Sequence, residues 1–205
     1  MRKTLGVAAL LAATTPAWAQ GAAVDITNAQ VQQVLKQGGA SVDHTLRVVD
    51  MGDYQLSVAV IHRGPTAPPG TRGAAAPAAN VQRCGLSAAP AGAAPGPSGM
   101  IAHDDTAETY IVISGSGTLV TGGTIVNGSR SAPDSEVTKI LNGPSCSGTV
   151  VGQTVSRKMG VGDISVIPAG VPHGWIGITD EVTYLSVRPD PKKVLAHGYV
   201  NPAIK

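Results

Sequence analysis

The 205 residues are one domain's worth of chain, and fifteen Lys and Arg stand against thirteen Asp and Glu. Arg2 and Lys3 account for that whole excess, so the rest is neutral, with no basic patch to neutralise a run of phosphates. This excludes nucleic acid as a partner.

Residues 1–19 read as a secretory signal peptide. Arg2 and Lys3 form a basic head, and Leu5 to Ala13 is an apolar run too short to span a bilayer. Ala17-Trp18-Ala19 supplies small residues where a signal peptidase reads. The expectation is a mature chain starting near Gln20, periplasmic or secreted, with no membrane segment after cleavage. Residues 20–205 then form a single domain with irregular insertions near 64–99 and 127–147. That domain has no Phe, so Val, Ile and Leu must fill the interior, and β-branched residues suit strands.

Asn28 to Lys36 carries Val31, Val34 and Leu35 at helical spacing and ends at Gly38-Gly39, which predicts one short helix. From His44 the period becomes two. Thr45 to Met51 and Tyr54 to His62 are predicted strands joined at Gly52-Asp53. In the second, Leu56, Val58, Val60 and His62 share one face, and Gln55, Ser57 and Ala59 the other. Gly64 to Gly99 is rich in Pro, Ala and Gly and reads as a long surface loop.

Met100 to His103, Thr109 to Ile113 and Thr118 to Thr121 follow as short strands, the last two joined by a tight turn at Gly115-Ser116-Gly117. Asn127 to Ser147 is irregular. Thr149 to Val155, Asp163 to Ile167, Gly174 to Ile178 and Val182 to Val187 complete the strand set. The tail from Arg188 holds Pro189, Pro191 and Pro202 and reads as coil with a short turn. Many short strands and one helix predict an all-β sandwich or barrel. Cys84 and Cys146 lie in the two irregular stretches. An oxidising compartment makes a disulfide the expectation, with two free thiols as the alternative.

Two segments carry chemistry. Gly162-Asp-Ile-Ser-Val-Ile-Pro168-Ala-Gly170-Val-Pro-His173 places a Gly, five residues, Pro-x-Gly, two residues and a His in order. Pro168 and Gly170 suit a sharp turn, after which His173 begins a strand. Ile101-Ala-His103-Asp-Asp-Thr-Ala-Glu108 precedes Gly115 by the six-residue gap from Glu108. These segments resemble the second and first signatures of the cupin superfamily. Every position of the second matches, although the family's later Asn is replaced at Gly177. In the first, Ile101 stands where the family has its first His. A rival register makes His103 the first His and Asp105 the second, but its spacing to Glu108 departs from the family's.

The resemblance implies a jelly-roll cupin antiparallel β-barrel with a short N-terminal helix. It also implies a site for one divalent metal ion on His103, Glu108 and His173. Two imidazoles and a carboxylate suit Fe(II), Mn(II), Ni(II) or Zn(II), with open positions for water or substrate. The alternative is a metal-free polar pocket. Tyr110 shares a strand face with Glu108, and Trp175 with His173, so both are pocket or core residues. Tyr110 and His62 are the candidates for moving a proton. Asp104 and Asp105 read as solvated turn residues. No Gly-x-Ser-x-Gly elbow, phosphate loop or dinucleotide fingerprint occurs.

The functions that remain are a metal-dependent oxygenase or isomerase acting on a small molecule, and a non-catalytic cupin that binds a small molecule or metal. A small-molecule ligand and a homodimer are the partners left open.

Overall fold

The computed structural model describes residues 23–38, 41–67 and 81–205. The segment read as a signal peptide lies outside them. Helix α1 spans Asn28–Leu35 and begins with a capping box, in which Thr27 and Gln30 satisfy each other's backbone N–H groups. The strands are β1 (Asp43–Asp50), β2 (Gln55–Arg63), β3 (Arg83–Cys84), β4 (Met100–His103), β5 (Glu108–Arg130), β6 (Ser145–Gly160), β7 (Ile164–Ile167), β8 (His173–Ile176) and β9 (Val182–Asp190).

Among the described residues, all pairings between these nine strands are antiparallel. One sheet runs β1-β2-β9-β5-β7. The other closes on itself: β5 pairs β6, β6 pairs β4, β4 pairs β8, and β8 returns to β5. Two-residue β3 adds to the far end of β5.

Strand β5 belongs to both sheets, and it corrects the expectation of a turn at Gly115-Ser116-Gly117. The chain runs through this segment without reversing. The register shifts between Val112 and Ser114, and Gly115 takes φ +67. This irregularity turns the strand out of one sheet into the other. A Cβ on Gly115 would lie 2.0 Å from the Glu181 carbonyl oxygen, so the corner admits no side chain there.

Two further expectations are corrected. Residues 127–147 are largely regular: β5 continues to Arg130, a π-helical turn spans Val137–Leu141, and β6 starts at Ser145. The tail does not leave the sheet at Arg188, because β9 runs to Asp190 and pairs residue for residue with β2.

The barrel core contains Ala59, Ile61, Tyr110, Val112, Leu119, Met159, Ile167, Trp175, Val182 and Tyr184. Strand β2 therefore turns its Gln55, Ser57, Ala59 and Ile61 face inward. Val58 and Val60, on the more apolar face, pack outside against Val31 and Val34 of α1 and against Ile204 of the C-terminal 3-10 turn. His62 follows that outer face and is exposed. A third cluster, holding Met100, Ala102, Val120, Ile125 and Val150, surrounds the Cys84–Cys146 disulfide, whose Cα atoms are 5.9 Å apart.

Candidate metal centre

Backbone geometry brings the two signature segments together. His103 ends β4, Glu108 opens β5, and His173 opens β8. Gly170, at φ +78, forms the turn before His173, and its N–H donates to the His103 carbonyl at 2.7 Å. The turn of one motif is thus tied to the candidate ligand position of the other. Ile101 lies directly opposite His173 in the β4–β8 pair.

His103, Glu108 and His173 are each no more than 2% exposed, and each offers one ligand atom within 4.8 Å of the others. Both imidazoles are oriented from behind. Ser145 Oγ donates to the Gly143 carbonyl at 2.8 Å, so it accepts the Nδ1–H of His103, also at 2.8 Å. His173 Nδ1–H donates to the Val171 carbonyl at 2.9 Å. This network leaves both Nε2 atoms as lone pairs. They converge on one oxygen, Glu108 Oε2, at 3.2 Å from His103 and 2.9 Å from His173. His173 Nε2 is close but not aligned for a hydrogen bond, and it has no partner. Two lone pairs facing a carboxylate oxygen repel unless a cation sits among them. The donor set therefore fits a divalent ion.

The other carboxylate oxygen is held elsewhere. Glu108 Oε1 accepts from Arg188 Nε at 2.7 Å, Ser186 Oγ at 2.9 Å and Asn142 Nδ2 at 3.4 Å. Burial pushes the Glu108 carboxyl up. The Arg188 charge leads the groups that oppose this, and the carboxyl lies well below the usual carboxylate range. Burial holds the His103 imidazole below its ordinary value, against the pull of Glu108. Tyr110 donates to Glu108 Oε2 at 2.8 Å. Burial first, and then the Glu108 charge, push its phenol well up, so it stays protonated.

The strand pairing, the two signature segments on β4–β5 and β7–β8, and their convergence inside a closed barrel decide the fold. This is an antiparallel β-barrel. Among solved structures, the chain is similar to a protein from Bacillus halodurans, with 14% identity, 89% of this chain and 91% of that chain covered, and a TM-score of 0.41. It is similar to a conserved protein with a double-stranded β-helix domain from Klebsiella pneumoniae, with 17% identity, 78% and 88% covered, and a TM-score of 0.36. It is also similar to an RmlC-like cupin family protein from Methanocaldococcus jannaschii, with 13% identity, 76% and 88% covered, and a TM-score of 0.35. No family model and no curated protein matches the chain.

Not every residue read from sequence reaches this candidate site. Tyr110 does, and it packs on Tyr184 with ring centroids 4.4 Å apart. Trp175 faces inward beside it, with centroids 6.4 Å apart. Trp175 also walls an outer cavity of about 990 Å³ with Ile176 and Ile178. His62 does not reach the site. Its Nδ1 bonds Thr183 Oγ1 at 2.8 Å on the outside of the barrel, because the apolar face of β2 is covered by the helix and is not the interior. Asp105 pairs with Lys192 at 2.7 Å and Asp104 with Arg130 at 2.6 Å, so the rival register gains no ligand from either.

Arg188, Ser186, Asn142 and Ser145 were missed. Arg188 and Ser186 share the parity of Tyr184 on β9, which is the one signal that pointed inward.

Proposed function

We propose that this barrel is a cupin, an exported protein that holds one divalent metal ion on His103, Glu108 and His173 and acts on a small molecule by oxygenase or isomerase chemistry. The observation that carries the reading is the convergence of two back-bonded imidazole lone pairs on one buried carboxylate oxygen. A bound ion would supply Lewis acidity at its open positions. Ser145 and the Val171 carbonyl hold the imidazoles in the ligating tautomer. Tyr110, with its hydroxyl 2.8 Å from Glu108 Oε2, holds a proton beside the ligand set. The Tyr110, Trp175 and Tyr184 rings keep water out of the space next to it.

A second reading is favoured by the burial of all three ligands: a cupin that keeps its metal without turnover. The first experiment is metal analysis. Protein refolded with Fe(II), Mn(II), Ni(II) or Zn(II) in turn should retain about one ion per chain, and His173→Ala should retain none. Retention of no metal by the wild type sinks both readings. Retention without any effect of small oxygen-donor ligands on the spectrum of the bound ion favours the second. Export is tested separately, by sequencing the N-terminus of protein from the periplasm or medium. It should begin near Gln20, and full-length chain confined to the cytoplasm would refute it.

A further inference from the structure

We propose that Arg188 is a positioning residue that confines Glu108 to a single ligating oxygen, an inference that rests on the metal reading above. Arg188 is 1% exposed on the inward face of β9, and both ends of its guanidinium are engaged. Nη1 and Nη2 grip Asp43 Oδ1 and Oδ2 at 3.2 and 2.6 Å, and Nη1 also donates to the Leu141 carbonyl at 3.0 Å. This two-point grip sets the plane of the fork. Nε–H is then aimed at Glu108 Oε1 at 2.7 Å, and it also reaches Ser186 Oγ at 3.0 Å.

Oε1 therefore receives Arg188, Ser186 and Asn142. A carboxylate oxygen has two lone pairs, so none remains for an ion. Oε2 alone faces the two Nε2 atoms. A carboxylate without this anchor could rotate and chelate an ion through both oxygens. Held as it is, Glu108 would offer an ion one donor, and the position its second oxygen would take would stay free for water or a small ligand. Lysine cannot substitute. It carries the charge but not the planar fork that bridges Asp43 and Glu108.

The test uses Co(II), whose visible absorption reports coordination number. The full-length mature protein, Arg188→Met, Arg188→Lys and Asp43→Asn are each loaded with cobalt. Wild type should take up one equivalent. Both Arg188 variants should show a severalfold weaker visible band, as the second carboxylate oxygen joins the ion. Asp43→Asn, which loosens the grip but leaves Glu108's own donors in place, should move the same way by less. It also keeps the inference testable if the Arg188 variants do not fold. A wild-type band in Arg188→Lys would mean that charge alone suffices and would overturn the positioning role. So would an unchanged band in both Arg188→Met and Asp43→Asn. Failure of the wild type to bind cobalt would remove the metal reading itself, and this inference with it.

Discussion

Consider the removal of the Cys84–Cys146 bond by the double substitution Cys84→Ala, Cys146→Ala. The bond joins residues 62 apart. A closed loop of that length restricts the unfolded chain by about 4 kcal/mol in the chain-entropy account. The native side of the balance changes little, since both cysteines sit in an aliphatic cluster with Met100, Val120, Ile125 and Val150, where alanine remains apolar. For a domain of this size each kcal/mol moves the melting temperature by roughly 2–4 °C, so a drop of roughly 8–16 °C is expected. Thermal unfolding followed by circular dichroism would measure it, with the wild type in reductant as the matching control. A drop of less than about 3 °C in both samples would refute the reasoning. It would mean that β3, held to β5 at Arg83–Ser129 and Cys84–Gly128, is fixed in both folded and unfolded chains without the covalent tie.

The metal-free protein should lose stability steadily as pH falls. The Glu108 carboxyl is held low in the fold, so its contribution is full above about pH 4.3 and is lost as pH falls through its depressed folded value. Burial also holds His103 low, so its loss starts earlier, below about pH 6.5. Urea midpoints followed from about pH 7 to about pH 2 would show both, and His103→Gln should flatten the upper part of the slope; an unchanged slope in that variant contradicts the assignment. Gly115→Ala should destabilise by more than about 1 kcal/mol in urea unfolding, because it forces a side chain into positive φ against the Glu181 carbonyl. Ile101→His should tighten metal binding in isothermal titration, since position 101 faces His173 across β4–β8; unchanged affinity would show that a side chain there does not reach the ion.

The candidate ligand positions were legible because their spacing is local. Pro168 and Gly170 make a turn wherever they stand, and a turn of that shape starts a strand at His173. His103 and Glu108 flank a four-residue loop whose ends the strands on either side must bring close. Gly115 was legible as a special backbone position but not as a corner. A Gly-Ser-Gly run serves a hairpin or a bulge equally well, and only the approach of the Glu181 carbonyl, just before β9, separates them.

Sequence by itself determined that this chain alternates with period two, turns where Gly and Pro fall, and presents two imidazoles and a carboxylate on strand ends. The tertiary structure alone decided which face of each strand is inside. Both faces of β2 are covered, one by the barrel and one by α1, so its alternation could not say which was which. That uncertainty misplaced His62. It also hid Arg188, a cation beside Pro189 that reads as the start of a solvated tail. A buried guanidinium is tolerable only with its charge matched. The matching groups, Asp43 and Glu108, come from strands 145 and 80 residues away along the chain. Short-range spacing records turns and faces, but the pairing that neutralises a buried charge is a long-range event, made when the sheets close.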